Sequence, residues 1–370
     1  MTAGNQRILS IQLLRALAAL AVVWFHASTL LAARSGAFNS WSKLGSAGVD
    51  LFFIVSGFIM WLSAIDRDEG IREFAIKRVV RIVPLYWLTT AAVLVISLVA
   101  PGLMHNVSHT PAHYLAAFVF VAYPHPALPG RFWPPVIPGW TLNYEALFYV
   151  VVAISLALRR QWRAPFCTAV LVGLTLCHPL ARPDRVVAFY THPVLLEFVF
   201  GLLLGAARVR LSPVLALTSI TCGMAWFLAL GRWGTDANRV LTWGVPLTLL
   251  TMGAINTQSL GPAALRRAVT AVGDASYSLY LTQFLVLPPA AIITWWLLGG
   301  LRTTPTGAVM FVASLMVMAT LTGLLSYHLI EKPVTKTTRR LLSRALETAA
   351  TAQPPPPSLS LSPNSSQASG

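Results

Sequence analysis

Long apolar runs are the feature that most limits what this chain can fold into. Ten of them have the length of about 17–25 residues that a helix needs to cross the hydrocarbon core of a bilayer. They cover residues 9–32, 47–65, 80–100, 139–158, 164–180, 191–207, 213–231, 240–257, 275–298 and 306–330. Only 11% of the residues are charged, against about a quarter in a soluble domain. The sequence predicts an all-α polytopic membrane protein, a bundle of about ten transmembrane helices.

The basic residues predict the orientation of the bundle. With ten spans, the loops on the side of the N-terminus hold 18 Lys and Arg residues and the opposite loops hold 8. Cytoplasmic loops carry an excess of Lys and Arg, so we expect both termini in the cytoplasm. The apolar run 111–123 is too short to span comfortably, and a crossing there would erase the charge bias. We expect it to be interfacial or re-entrant.

Composition also divides the chain into regions. Residues 1–335 are predicted to form the transmembrane domain, with an external loop at 101–138 whose eight prolines prevent regular helix throughout. Residues 336–370 would be a cytoplasmic tail, disordered from about residue 351 because that part is rich in Pro and Ser.

Three histidines in the external loop have a spacing that can hold a metal ion. His105, His109 and His113 lie four residues apart, which on one helix would resemble a zinc site. However, Thr110 and Pro111 are typical of the start of a helix, so the first two histidines would precede the helix that carries the third. We therefore predict no metal site.

The first apolar run contains two ionisable residues, Arg15 and His26. An Arg at the centre of a membrane helix raises the free energy of insertion by about 2.5–3.5 kcal/mol, so it usually faces protein or water. A separation of eleven residues is three helical turns plus about 20°, which places both side chains on one face, about 16 Å apart along the axis. We expect this helix inside the bundle, with Arg15 near the cytoplasmic surface and His26 nearer the outer one.

Other ionisable residues divide by depth in the same way. Three carboxylates fall in the outer third of their spans and two arginines in the inner third, namely Asp50, Glu145 and Glu197, and Arg78 and Arg81. Arginines one turn apart at a helix start can bind phosphate, and a His beside a carboxylate is a stronger base. The pattern indicates an anion-binding inner end and an acid/base outer end. Alternatives remain open: the arginines as orientation anchors, and the carboxylates as partners between helices.

Five blocks follow one another along the chain, namely Arg15 with His26, Gly48–Phe58 (GVDLFFIVSGF), Lys77–Tyr86 (KRVVRIVPLY), Gly139–Glu145 (GWTLNYE) and Ser276–Leu281 (SYSLYL). In this order they resemble the membrane-bound acyltransferase-3 family. The fourth block and the terminal Glu331–Pro333 are most similar to exopolysaccharide O-acetyltransferases of the succinoglycan-modifying kind. The resemblance covers about residues 7–335. One position departs from it, because Gln283 stands where members often have His.

The resemblance implies transfer of an acyl group, usually acetyl from acetyl-coenzyme A, to a sugar hydroxyl across the bacterial inner membrane. In that scheme Arg15, Arg78 and Arg81 would bind the phosphates of the acyl donor, which is a co-substrate. The partners would be acyl-coenzyme A, a carbohydrate acceptor and the bilayer, with no nucleic acid; the oligomeric state is not indicated.

The same scheme makes His26 the general base. Glu145 or Asp50 would orient its imidazole, by the logic of hydrolase triads. Aromatic residues would contribute to substrate binding, namely Trp140, Tyr144, Tyr149 and Tyr280; aromatics at helix ends are also typical of the membrane interface. Ser56, Tyr86 and Tyr280 are candidate oxyanion donors, although Ser56 with Gly57 equally predicts a contact between closely packed helices.

A transporter or flippase of a glycan or small molecule is the alternative function. Such a protein also has about ten spans, with His and carboxylates forming a proton relay. The hydropathy shows no inverted repeat, and the ordered blocks favour the enzyme.

Overall fold

A computed structural model shows a helical membrane protein, as predicted. It describes residues 3–36, 40–100, 110–183, 185–257 and 262–351, and their side chains at positions 9–36, 41–100, 110–183, 185–257 and 262–341. The helices are α1 (Ala3–Ser35), α2 (Gly48–Met60), α3 (Ile71–Val99), α4 (Pro111–Phe118), α5 (Trp140–Leu156), α6 (Arg160–Leu176), α7 (Val186–Tyr190), α8 (Leu195–Ala207), α9 (Pro213–Leu230), α10 (Val245–Asn256), α11 (Ala263–Asp274), α12 (Ser276–Leu297), α13 (Pro305–Ser326) and α14 (Lys332–Thr351). These described ranges contain no β-strand.

Nine helical segments in the described residues are long and apolar enough to cross a membrane, and Val240–Asn256 is a shorter apolar helix. Together they match the ten predicted runs. We call the side of the bundle where α1 begins the N-side and the side where α1 ends the far side. Loops 66–70 and 208–212 lie on the N-side, and loops 40–47 and 110–139 lie on the far side.

The far-side loop is folded where the structure describes it. Its only α-helix within residues 110–138 is α4, eight residues long, so the run 111–123 does not span. His113 is buried and its Nε2 donates a hydrogen bond to the carbonyl oxygen of Trp133 at 2.8 Å. His105 and His109 lie outside the described residues. At the other terminus, α14 continues the chain as helix to Thr351, and the rest of the predicted tail lies outside the described residues.

Helix α1 contacts three separate hydrophobic clusters. Leu14 and Ala18 pack with α2 and α10, whereas Ala19 and Val23 pack with α12 and α13. Val22 belongs to the cluster built by α2, α3, α5 and α8. Because successive helical residues are rotated by about 100°, the stripe of Val22 lies between the other two faces. This stripe, which also carries Arg15 and His26, therefore faces the interior of the bundle.

Helices α2 and α8 pack with their backbones in direct contact. A Cβ atom on Gly201 would lie 1.8 Å from the carbonyl oxygen of Ile54, and one on Gly57 would lie 2.2 Å from that of Phe198. Membrane helices associate through such close contacts because lipid provides no hydrophobic driving force between them. The packing interpretation of Gly57 is confirmed, and Gly201 is its counterpart on α8.

Candidate active site

The described part of the bundle encloses a cavity of about 310 Å³, within the range of small-molecule sites, about 300–1,000 Å³. Helices α1, α2, α3, α5 and α12 form its walls. Six of the predicted site residues line it, namely Arg15, Arg78, Arg81, Glu145, Tyr149 and Tyr280. The remaining predicted residues, His26, Asp50, Trp140 and Tyr144, do not.

Arg15 is held at the start of α12. Its Nη2 donates a hydrogen bond to Ser276 Oγ at 2.8 Å, and its Nη1 donates to Gln12 Oε1 at 3.3 Å. Gln12 Nε2 in turn donates to Asp274 Oδ1 at 2.6 Å. One turn of α1 is therefore tied to the junction of α11 and α12, which fixes the guanidinium at the cavity wall. Sequence reasoning did not identify Ser276 as a site residue.

Arg78 has no carboxylate partner among the described residues. Its guanidinium carbon lies 5.4 Å from the ring centroid of Phe74 and 5.7 Å from that of Tyr149. Its Nε is buried without a hydrogen-bond acceptor. A buried unpaired donor destabilises a protein by about 1–3 kcal/mol. Arg78 is therefore a positive charge at the cavity that packs against two aromatic rings. Because no carboxylate of the described residues neutralises it, it is suited to binding an anionic ligand.

Arg81 is oriented by Glu331, which comes from the end of the last span. The distance from Arg81 Nη1 to Glu331 Oε1 is 3.6 Å, and the buried Glu331 accepts a hydrogen bond from Ser278 Oγ at 2.6 Å through Oε2. Glu331 thus links α3 and α12 below the cavity. In the sequence, the signal for Glu331 is its place in the terminal block Glu331–Pro333, which by itself indicates no site role.

Glu145 faces the arginine end of the bundle. Its Oε1 accepts a short hydrogen bond from Tyr149 Oη and another from Ser56 Oγ at 3.3 Å. Tyr149 contacts Arg78 through its ring. The predicted contact between Glu145 and His26 is not present among the described side chains, because Glu145 lines the cavity at the depth of Arg15 rather than at that of His26. Thr141, one turn before Glu145, contacts Tyr280, one turn after the Ser276 that binds Arg15.

His26 lies beyond the cavity on the same stripe of α1 as Arg15. Val22, one turn before it, belongs to the same packed cluster as Val49 and Phe53, which line the cavity. Thr29, about one turn after it, is exposed at the far side. His26 itself is partly buried, its ring makes an edge contact with Phe25 at 5.2 Å between centroids, and no described side chain forms a hydrogen bond with it. Arg15 at the cavity, the packed Val22, His26 and the exposed Thr29 thus follow one another along one stripe of α1 toward the far side.

Asp50 is paired with Arg239 rather than with His26. Arg239 Nε donates to Asp50 Oδ1 at 2.7 Å and Nη2 donates to Oδ2 at 2.8 Å, and Asp50 is fully buried. Glu197 Oε1 lies 3.6 Å from Arg239 Nε and is also fully buried. The predicted orientation of His26 by Asp50 is therefore not seen, because the carboxylate neutralises a buried cation. From the sequence alone, Arg239 contributes only to the number of basic residues in the far-side loops.

The aromatic residues have different environments. Tyr144 is buried in the core, stacked on Phe189 at 4.2 Å with its hydroxyl donating to the Phe189 carbonyl oxygen at 2.8 Å, so its ring is not available to a sugar. Trp140 is partly buried and contacts Tyr144 edge-on. Tyr280 closes the far-side end of the cavity through a hydrogen bond with Thr141 Oγ1 at 3.1 Å.

Comparison with known proteins identifies the chain. Residues 8–328 match the acyltransferase-3 family (Acyl_transf_3), described as an acyltransferase domain. The chain belongs to this family. It is an O-acyltransferase in a multi-pass membrane fold, which rules against the transporter alternative.

Relatives of this acyltransferase include an exopolysaccharide production protein, an acyltransferase and a peptidoglycan O-acetyltransferase. The exopolysaccharide production protein ExoZ of Rhizobium meliloti (strain 1021) is 36% identical over 295 residues, 79% of this chain and 90% of its own length. The acyltransferase MdmB of Streptomyces mycarofaciens is 27% identical, covering 85% of this chain and 86% of its own length. The peptidoglycan O-acetyltransferase OatA of Listeria monocytogenes is 24% identical, covering 88% of this chain and 56% of its own length. No solved structure gives a significant match.

Proposed function

We propose that this acyltransferase moves an acyl group, which we expect to be acetyl, from acyl-coenzyme A to a hydroxyl of a surface polysaccharide or its lipid-linked precursor. The N-side would face the cytoplasm and the far side the outer surface of a bacterial inner membrane, as the distribution of Lys and Arg favours. The observation that carries the proposal is the stripe of α1, which joins an arginine-lined cavity to His26 and the far side. The printed name of ExoZ, an exopolysaccharide production protein, supports this acceptor class.

The donor end is assigned to the three arginines. Acyl-coenzyme A carries its phosphates at one end and the thioester at the other, so the polyanion would bind where Arg15, Arg78 and Arg81 line the cavity. Guanidinium groups bind phosphate oxygens by two parallel charge-assisted hydrogen bonds. The single carboxylate at this wall, Glu145, accepts a hydrogen bond from Tyr149, which reduces its repulsion of an anionic ligand.

The transfer step is assigned to His26. Its imidazole would remove the proton from the acceptor hydroxyl while the oxygen attacks the thioester carbonyl. The C–S bond then breaks and the thiolate takes up the proton, so that an ester and a free thiol are formed. These steps describe the direct route; in a route through an acyl-enzyme, His26 would remove the acceptor proton in the second step, when the acceptor oxygen attacks the acyl-enzyme carbonyl and the enzyme group leaves with that proton. Asp50 and Glu145 act as positioning residues: Asp50 fixes α2 through Arg239, and Glu145 fixes Tyr149 beside Arg78.

The test uses membranes that contain the full chain, labelled acetyl-coenzyme A and an acceptor polysaccharide. Wild type should form base-labile O-acetyl esters, and His26→Ala should reduce them at least a hundredfold, in line with general-base contributions of about 10²–10⁴. Thr29→Ala, on the same stripe but exposed, should retain activity. Full ester formation by an inserted His26→Ala protein would refute the role of His26. Movement of unmodified glycan without ester formation would refute the proposed function.

A separate measurement, the KM for acetyl-coenzyme A, tests the proposed donor site. Arg78→Ala should raise the KM for acetyl-coenzyme A at least about tenfold, because a charged hydrogen bond contributes about 1.5–3 kcal/mol. Arg72→Ala is the matched control, since Arg72 is exposed on the same helix and does not line the cavity. An unchanged KM for Arg78→Ala would leave Arg78 as an orientation anchor only.

A further inference from the structure

A cluster of two tryptophans and one arginine lies on the far side, outside the cavity. The guanidinium carbon of Arg232 is 5.1 Å from the ring centroid of Trp41 and 4.9 Å from that of Trp233. Trp41 is 41% exposed and Trp233 is 63% exposed. Both indoles are thus partly exposed, and they hold the guanidinium between them.

Arg232 has no ion-pair partner in the part of the chain that the structure describes. Its Nε is also buried there without a hydrogen-bond acceptor. Arg239, seven residues later, shows the contrast, because it makes a two-point ion pair with Asp50. The far-side loops together hold 8 Lys and Arg residues and only two acidic residues. An unpaired arginine in this setting is suited to an anionic ligand.

The cluster is built on buried supports. Trp243 Nε1 donates to the carbonyl oxygen of Gly231 at 2.8 Å, next to Arg232 in sequence. Asn238 Nδ2 donates to the Trp233 carbonyl oxygen at 3.3 Å. Gly231 also packs so closely against Leu44 that a Cβ atom there would lie 2.6 Å from Leu44 Cδ2. The short helical segment Gly231–Trp233 is therefore fixed against the segment that carries Trp41.

Residues Ser40–Ala47 form a 3₁₀ helix that carries Trp41 and also contacts α1 next to His26. A Cβ atom on Gly45 would lie 2.4 Å from the carbonyl oxygen of Ala21 and 2.9 Å from Phe25 Cβ, and the Phe25 ring contacts His26. A 3₁₀ helix rises about 2.0 Å per residue, so Trp41 begins about 8 Å along the segment from the point that touches α1. That distance is on the order of one or two sugar units.

We propose that Trp41, Arg232 and Trp233 form an acceptor subsite that binds a negatively charged sugar unit of the glycan. The indole rings stack on the apolar face of the sugar, as aromatic rings do with flat apolar groups, and Arg232 binds its carboxylate or phosphate with two parallel hydrogen bonds. The inference rests on the proposed function, because it names the chemistry of the acceptor for the same transfer.

The test measures binding without turnover, on the full chain in nanodiscs of phosphatidylcholine. The probes are an oligosaccharide that contains glucuronic acid and the same oligosaccharide with the carboxyl group reduced to an alcohol, titrated by calorimetry. Wild type should bind the acidic probe about tenfold more tightly, the contribution expected of a charged hydrogen bond. Arg232→Gln should remove this preference, and Trp233→Ala should weaken both probes alike.

Arg302→Gln is the matched control. Arg302 also stacks on a tryptophan at the far side, 5.5 Å from the Trp295 centroid, but it is not attached to the Ser40–Ala47 segment. It should retain the wild-type preference. Equal binding of the two probes by wild type, or an unchanged preference in Arg232→Gln, would overturn the subsite.

A lipid headgroup could supply the same anionic chemistry. If phosphatidylglycerol in the nanodisc abolished the preference for the acidic probe, the cluster would be a lipid-headgroup site and the proposal would fail. The two proposals fail separately: loss of ester formation with intact acidic-probe binding refutes the transfer reaction, and ester formation without that binding preference refutes the subsite.

Discussion

Asp50 and Arg239 form a two-point ion pair in the interior of the far-side half of the bundle, joining the start of α2 to the segment before α10. Breaking a buried ion pair destabilises a protein by about 3–5 kcal/mol, and in Asp50→Asn the only buried carboxylate left beside Arg239 among the described residues is Glu197, at 3.6 Å. We therefore expect Asp50→Asn to lower the unfolding temperature in detergent. The triple variant Asp50→Leu, Glu197→Gln and Arg239→Met, which removes all three buried charges, should recover part of that loss.

This experiment also separates structure from catalysis at Asp50. Asp236→Asn is the control, because Asp236 is exposed and only 3.7 Å from Arg239 Nη1. If Asp50→Asn kept the wild-type unfolding temperature but lost turnover, Asp50 would be part of the reaction chemistry and its role as a positioning residue would be wrong.

Glu331 should control acyl-donor binding through Arg81. Glu331→Gln keeps the hydrogen bond with Ser278 possible but removes the charge that orients the guanidinium, so we expect a several-fold higher KM for acetyl-coenzyme A with kcat little changed. Steady-state kinetics on membranes measures this split. Glu73→Gln is the control, because its ion pair with Lys77 is exposed and exposed pairs contribute about 0–1 kcal/mol. A lower kcat at unchanged KM would contradict the positioning role.

Gly201→Ala should separate α2 from α8. The added methyl carbon would lie 1.8 Å from the Ile54 carbonyl oxygen, so the helices must shift, and overpacking of this kind destabilises by about 1–3 kcal/mol or more. The yield of folded protein and the unfolding temperature should both fall. Gly173→Ala on α6 meets no atom within 4 Å and should be neutral. Equal stability of the two variants would show that the α2–α8 contact is looser than described.

Asp66 on the N-side should make stability depend on acid pH. Partial burial raises the pKa of this carboxyl, but hydrogen bonds from Arg160 and Arg208, both at 2.5 Å, outweigh it and hold the pKa below its ordinary value of 3.8. A lowered folded-state pKa gives stability that is present above the unfolded value and is lost as pH falls through the folded value.

The measurement for Asp66 is the unfolding temperature between pH 6 and pH 3. Wild type should lose the contribution of this group only below about pH 4, near the ordinary carboxyl pKa, and Asp66→Asn should lack that part of the pH dependence. Asp68→Asn, whose carboxylate is more exposed, provides the comparison. A pH profile identical in wild type and Asp66→Asn would contradict the assignment.

The sequence was sufficient to predict the membrane spans and the grouping of the three arginines at one end of the bundle. Hydropathy located the helices because lipid requires long apolar segments, and helical periodicity put Arg15 and His26 on one interior stripe. Partners across helices were not predictable in this way. The alternating topology predicted Glu145 at the depth of His26, and this was wrong because α5 begins inside the bundle, where Thr141 contacts Tyr280. Glu145 therefore lines the cavity beside Arg15, and it accepts hydrogen bonds from Ser56 and Tyr149.

Asp50 shows a second reason why the partners of the site residues could not be predicted from the sequence. A buried carboxylate requires a cation or several donors, and Arg239 provides both charge and geometry. In the sequence these residues are 189 positions apart, so no local pattern connects them. The same holds for Arg81 and Glu331, which belong to the third span and to the end of the last one.

The spacing of Arg15 and His26 on one rigid helix also limits which donors this acyltransferase can use. Under the proposed function, anionic groups held at Arg15 and an acyl carbon attacked beside His26 must be about 16 Å apart along the helix axis. A compact donor such as an acyl phosphate, in which the anion and the carbonyl are adjacent, cannot occupy both ends at once. Under the proposed function, helix α1 would therefore act as a length gauge that selects donors with a long flexible arm.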